Sequence, residues 1–159
     1  MTTMKQAAAE FLSHHRIAVT GVSRTAKGHG GNVVYQRLRE RGYEVVPINP
    51  NADRVEGDPC YPNLAAVPGP VDAVVIATSP AHAEETMREC ADLGIGHVWM
   101  HRGPGPGSVS PAATQYGREH GITVIDGGCP CMFAPTDDSG HKVMRAIFTL
   151  TGNVPRRVP

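Results

Sequence analysis

The chain has 159 residues, a formal net charge of zero and 19% charged residues, so it suits one domain and carries no sustained basic field for a nucleic-acid backbone. No apolar run approaches the roughly 18 residues that a membrane helix needs, and residues 1–10 lack the apolar core of a signal peptide. We therefore expect a cytoplasmic protein that binds neither nucleic acid nor membrane and whose four scattered cysteines are thiols.

The predicted elements alternate between strand and helix along the chain. Short apolar runs predict five strands, at Ile17–Thr20, Glu44–Ile48, Ala73–Ala77, His97–Met100 and Ile122–Ile125. Helical spacing predicts helices at Thr3–Ser13, Gly31–Arg41, Pro80 to about Gly94, Pro111 to His120 and Gly140–Leu150. This order predicts an α/β fold, a doubly wound parallel five-stranded sheet (Rossmann-like) with helices on both faces. We expect residues 1–15 to pack on a domain spanning residues 16–151, and residues 152–159 to form a frayed tail.

The loop after the first strand carries the strongest functional signal. Gly21 ends the strand, and the spacing Gly21-x-Ser23-x-x-Ala26 loosely matches the dinucleotide-binding fingerprint. Unpaired amides at the start of the next helix attract phosphate, and glycines allow close approach of the ligand. The loop adds positive or protonatable groups and glycines at Arg24, Lys27, Gly28, His29, Gly30 and Gly31. We predict a phosphate-binding loop; the alternative is an ordinary turn with solvated charges.

The end of the second strand argues against NAD. A conventional NAD site places an acidic residue there for the ribose hydroxyls, whereas this strand runs into Asn49-Pro50-Asn51, and Asp53 comes only after that turn. Arg54 offers a positive group for the 2′-phosphate of NADP. A small NADP-linked oxidoreductase therefore stays an alternative, and pyrophosphate binding is better supported than a nicotinamide cofactor.

Four segments together resemble the small, single-domain CoA-binding protein family, which is related to the N-terminal CoA-binding domain of the succinyl-CoA synthetase α subunit. These segments are Ile17–Ser23, Gly42–Pro50, Gly57–Leu64 leading into Pro70–Ala73, and Val98–Met100 with Asp126–Pro130. Each segment is weak evidence alone, whereas the combination is specific. The resemblance implies that coenzyme A is the cofactor and that its ADP part lies at the first loop.

The resemblance also implies where the contacts with coenzyme A lie. The first loop would supply Gly21, Val22, Ser23, Arg24, Lys27 and Gly30. The family often has a lysine for the phosphates after the Asn-Pro pair; this chain has Asn51 there, after Asn49-Pro50, and Arg24, Lys27 or Arg54 could substitute. The segment Thr78-Ser79-Pro80-Ala81-His82 matches the one that lies along the nucleotide or pantetheine. His101 stands near a position where the family usually has glutamine.

Three functional hypotheses follow. The first is binding of CoA or acyl-CoA without ligase chemistry, because the synthetase places its phosphorylated histidine in a second domain that this sequence does not show. The second is the NADP-linked oxidoreductase. The third is a regulatory partner of an acyl-CoA ligase-like subunit, and a homodimer is a further possible assembly.

Cys129-Pro-Cys131 follows the last predicted strand, on the ligand side of the sheet. A Cys-x-Cys spacing is not a zinc pattern by itself, and the sequence identifies no second ligand pair. A thiol there could form a mixed disulfide with the sulfur of CoA or bind a metal together with a histidine; the alternative, which we favour, is two small, half-buried residues in a turn, so we predict no metal site. His82, His97, His101 and His120 are interpreted as surface or loop histidines.

Overall fold

A parallel sheet of five strands forms the centre of the computed structural model, which describes residues 1–25 and 29–159. The strands are β2 (Arg16–Thr20), β3 (Glu44–Ile48), β6 (Ala73–Ile76), β7 (His97–Met100) and β8 (Thr123–Asp126), in the spatial order β3-β2-β6-β7-β8. All five strands are parallel, and the chain first adds β3 on one side of β2 and then adds β6, β7 and β8 on the other side. This is the topological switch point at which open α/β sheets bind ligands.

Helices cover both faces of the sheet, as predicted. They are α1 (Met4–Phe11), α2 (Gly30–Glu40), α3 (Pro80–Asp92), α4 (Pro111–Glu119) and α5 (Ser139–Thr151). One core joins α1 and α2 to one face, and a second core joins α3 and α4 to the other. Trp99 on β7 is fully buried in the first core, where its ring meets Phe11 edge to face.

The C-terminal residues are ordered, and the prediction of a frayed tail is wrong. Strand β9 (Arg157–Val158) pairs antiparallel with β1 (Thr2–Thr3), so the two ends of the chain form a small second sheet. Val154 and Val158 are buried in the α1 core. Apolar side chains therefore anchor this segment, and the strand is too short to show a periodic pattern.

Two further features lie outside the five-stranded sheet. Strands β4 (Arg54–Val55) and β5 (Asp58–Pro59) form a hairpin within a segment that we expected to be loop. Helix α5 exposes an apolar stripe of Val143, Ile147 and Leu150. None of the helices in the described part of the chain is both long and apolar enough to cross a membrane.

The buried tail gives a stability prediction. Val158→Ala should lower the free energy of unfolding by about 1–2 kcal/mol, since it removes methyl groups from a fully buried site. Leu150→Ala is the control, because Leu150 is 80% exposed, and it should change stability by about 0.5 kcal/mol or less. Urea denaturation followed by circular dichroism measures both values, and equal effects would contradict the tail packing.

Candidate functional site

The loops after β2 and β6 touch at the switch point. Gly21 has a φ of +72°, and a Cβ atom placed on it would lie 2.5 Å from the carbonyl oxygen of Ala77. A Cβ atom on Gly31, in the first turn of α2, would lie 2.7 Å from the carbonyl oxygen of Gly21. The Thr20 hydroxyl accepts a hydrogen bond from the Ala77 amide at 3.2 Å. Only glycine at both positions lets the helix and the two loops come this close.

The buried side chain of Asn32 holds the first loop. Its Oδ1 accepts from the Ser23 amide at 2.8 Å, and its Nδ2 donates to the Ser23 carbonyl and to Glu56 at 2.9 Å each. The backbone amide of Ser23 is therefore already engaged, which leaves the hydroxyl as the group with which Ser23 could meet a ligand. Asn32 is a structural residue of the site that sequence reasoning missed, because an asparagine at the start of a helix gives no distinctive signal.

A second amide clamp joins the first loop to the end of β3. Asn49 donates from Nδ2 to the Val22 carbonyl at 2.9 Å, and its Oδ1 accepts from the Asn51 amide at 2.8 Å. Val22 itself is fully buried. Three of the predicted contact residues, Val22, Asn49 and Asn51, therefore shape the loop. The side chains of Val22 and Asn49 contact other groups of the protein.

Two clefts open on either side of Thr78. One, of about 550 Å³, lies between the start of α2 and the 101–108 loop and includes Gly30 and His101. The other, of about 730 Å³, lies beside α3 and includes Gly21, Pro50 and His82. The Thr78 hydroxyl is buried without a hydrogen-bond partner among the described residues. An unpaired buried hydroxyl costs free energy, so this oxygen marks a place where a polar ligand atom or a water belongs.

Helices α2 and α3 both begin at this edge without a side-chain cap. Within residues 1–25 and 29–159, the cap positions His29 and Ser79 make no side-chain hydrogen bond to their helices. The other three helices are capped by Thr3, Ser110 and Asp138. Ser79 and Pro80 occupy the predicted cap and first positions of α3, but the Ser79 side chain does not cap. Two helix N-termini without side-chain caps therefore face the clefts, an arrangement that favours anions.

His101 is more deeply placed than a loop histidine. Its ring packs on Gly30, whose Cβ would lie 2.9 Å from His101 Cε1. Burial, followed by the nearby charge of His141, lowers the pKa of His101 to about 4, so the imidazole is neutral at neutral pH. His101 is a loop residue, as predicted, but the 101–108 loop folds back over it and leaves it only partly exposed.

The predicted cations are dispersed. Arg24 is exposed beside the first loop. Arg54 instead binds the Gly57 carbonyl of its own hairpin turn at 2.5 Å. Lys27, with Ala26 and Gly28, lies outside the described residues. The same hairpin brings Glu56 to Asn32 and Gln36, whose amides bind its carboxylate at 2.9–3.1 Å.

Cys129 and Cys131 are both buried, at 4% and 0% exposure. The hydrogen bond from the Cys129 thiol and the nearby Arg37 guanidinium lower the pKa of Cys131, partly offset by burial. The 3₁₀ turn Pro130–Met132 places both residues beside the first turn of α5. There the Cys129 and Cys131 sulfurs and a His141 nitrogen lie within 4.8 Å of one another, a convergence that the sequence did not reveal.

This combination of a five-stranded parallel sheet, helices on both faces and a glycine-lined switch point defines a Rossmann-like α/β domain. Comparison with known sequences assigns the family: residues 15–135 match the CoA binding domain family, and the chain belongs to it. The predicted resemblance is thereby confirmed.

Individual relatives are consistent with this assignment. The chain is 40% identical over 81 residues to an ADP-forming acetate–CoA ligase II of Archaeoglobus fulgidus, covering 50% of this chain and 12% of the ligase. It is 28% identical over 110 residues to the uncharacterized protein YneT of Bacillus subtilis, covering 69% and 78% of the two chains. A hypothetical protein from Pyrococcus horikoshii shares the fold, with a TM-score of 0.73 at 24% identity over 80% of this chain and 87% of that chain.

The two neighbouring glycines of α2 form a matched pair for a stability test. Gly31→Ala places its Cβ against the backbone oxygen of Gly21, so it should destabilise the protein by about 1–3 kcal/mol. Gly30→Ala meets only the His101 ring, and it should cost about 1 kcal/mol or less, since alanine also favours the helix. Urea denaturation gives both values, and a larger loss for Gly30→Ala would contradict the packing described here.

The half-buried His101 imidazole gives a pH dependence. Its pKa is about 4 in the folded protein and about 6.5 in the unfolded chain. Between these values the unfolded chain binds a proton that the folded protein does not, so stability is full above pH ~6.5 and falls by about 2–3 kcal/mol towards pH ~4. His101→Gln should remove this part of the pH dependence in denaturation curves recorded from pH 4 to 7. An unchanged slope would show that His101 is not its source.

Proposed function

We propose that this protein binds coenzyme A or an acyl-CoA at the carboxyl edge of its sheet and has no ligase chemistry of its own. One observation carries the proposal: in a member of the CoA binding domain family, two uncapped helix N-termini meet at a glycine-lined switch point around the unpaired Thr78 hydroxyl. The kinship with ADP-forming acetate–CoA ligases supports the same ligand.

The charge distribution supports placing the pyrophosphate at the first turn of α2. Gly30 offers backbone without a side chain there, no acidic residue lies in that turn, and the Glu56 carboxylate that reaches it is hydrogen-bonded by Asn32 and Gln36. The cleft beside α3 instead includes three carboxylates, Glu85, Glu89 and Asp92, which would repel phosphate. Arg24, which is exposed in the first loop, and Lys27, which is close to it in sequence, are our candidates for the 3′-phosphate, since such cations can follow a flexible anion.

The two clefts suit the two ends of the ligand. The cleft beside α3 has the apolar walls Ile48, Pro50 and Pro62, which fit a planar base. The cleft at His101 is lined mainly by glycine backbone and a neutral imidazole, which fit the weakly polar pantetheine arm. Thr78 lies between the clefts, where the ligand crosses from one to the other, and its hydroxyl would bind a polar atom of that ligand.

Calorimetric titration of the reduced protein with CoA, dephospho-CoA, AMP and NADP tests the proposal. CoA should bind more tightly than dephospho-CoA and AMP, because each of these lacks a charged or apolar part of the ligand. Tighter binding of NADP than of CoA would contradict the proposal and favour the oxidoreductase. Formation of ATP from acetyl-CoA, ADP and phosphate by the protein alone would refute the absence of ligase chemistry.

Thr78→Val tests whether the ligand contacts Thr78, where we propose that it passes from one cleft to the other. The change removes a hydroxyl without altering the side-chain shape, so CoA affinity should fall about threefold to tenfold while the stability of the free protein stays equal or rises. Thr114→Val is the matched control, because the Thr114 hydroxyl is also buried and unpaired among the described residues but borders neither cleft. Equal affinities of the two variants for CoA would exclude Thr78 as a ligand contact.

A further inference from the structure

Cys129, Cys131 and His141 form a cluster that the CoA site does not use. Their ligand atoms all lie within 4.8 Å of one another. Both cysteines are buried, and the His141 side chain is 21% exposed, which gives the cluster an opening to solvent. We propose that these three side chains bind a thiophilic divalent cation, zinc being the ion whose chemistry they match, and this proposal is independent of CoA binding.

The donor set matches zinc in kind and in spacing. Zinc in proteins takes thiolate and imidazole ligands at about 2.3 and 2.0–2.1 Å, so tetrahedral ligand atoms lie roughly 3.5–3.8 Å apart. Side-chain rotations that move the ligand atoms by roughly 1 Å would bring the cluster to that spacing. Soft sulfur ligands also disfavour magnesium and calcium, which prefer oxygen.

A carboxylate holds the histidine in the orientation typical of a metal ligand. Asp138 Oδ2 binds His141 Nδ1 at 2.8 Å, and the same oxygen accepts from Arg37 at 2.6 Å. With the Nδ1 proton donated to the carboxylate, Nε2 keeps the free lone pair that a metal needs. Such carboxylate–histidine pairs commonly support metal ligands, whereas a disulfide between the two cysteines would leave the oriented histidine without a role.

The charges balance when the metal binds. Each thiol releases its proton to water as its sulfur binds the ion, so two thiolates neutralise one divalent cation. Arg37 is already paired with Asp138, and it therefore adds no uncompensated positive charge at the site. Three protein ligands leave a fourth tetrahedral position for water or another ligand, as in metal sites that react rather than only support the fold.

The test uses the purified full chain, reduced with a phosphine and stripped of metal with a chelator. Titration with Co²⁺ should give one bound ion per chain and a thiolate-to-cobalt charge-transfer absorption, and Zn²⁺ should displace the cobalt. Cys129→Ser, Cys131→Ser and His141→Gln should each lower the affinity at least tenfold, with the sulfur absorption reduced in the two serine variants. Asp138→Asn, which keeps a cap for α5, should lower the affinity about tenfold to hundredfold.

Cys60→Ser is the matched control. Cys60 is also buried, but its sulfur lies beside the carbonyls of Asn49 and Tyr61 and outside the cysteine–histidine cluster, so metal binding should be unchanged. Circular dichroism of each variant separates loss of a ligand from loss of the fold, and His141→Gln, at a partly exposed position, tests the site with little risk to folding. The proposal is overturned if Co²⁺ gives no sulfur absorption, if Cys131→Ser or His141→Gln binds as tightly as the parent, or if the stripped protein forms a Cys129–Cys131 disulfide and takes up no metal.

Discussion

The close contact between Gly21 and Ala77 determines how the carboxyl edge of the sheet is built. The two loops that leave β2 and β6 in opposite directions meet here, backbone against backbone, with no room for a Cβ atom. Gly31 extends the contact to the first turn of α2. The floor of the candidate site is therefore peptide backbone and not side chains, which is how a protein brings helix amides within reach of a phosphate.

The amides of Asn32 and Asn49 keep this floor in place. The buried side chain of Asn32 and the half-buried side chain of Asn49 both bond to the backbone of the first loop. A buried polar network of this kind rigidifies a loop when all its members are paired, and it leaves few groups free for a ligand. The free groups are then the helix amides and the Thr78 hydroxyl, so the chemistry of the site comes mostly from backbone geometry.

Local patterns were enough to predict the sheet, because a strand such as Ala73–Ile76 is buried on both faces and reads as a continuous apolar run. They could not predict the pairing of β1 with β9, whose two-residue strands lie at opposite ends of the chain. The predicted site residues Gly21, Gly30, Thr78 and His101 lie together along the two clefts. Arg54 instead binds the Gly57 carbonyl in its own hairpin. The burial of His101, the Asn32 clamp and the approach of His141 to two cysteines all depend on tertiary packing, which residue spacing does not encode.

Helix α2 connects the two sites that we propose. Its first turn faces the cleft at Gly30, and Arg37, two turns further on, binds the Thr136 carbonyl and the Asp138 carboxylate. Asp138 in turn orients His141. A helix moves as a rigid body, so a ligand that shifts the first turn of α2 also shifts the arginine that supports the cysteine–histidine cluster. By linkage, any effect of the metal on CoA affinity would equal the effect of CoA on metal affinity.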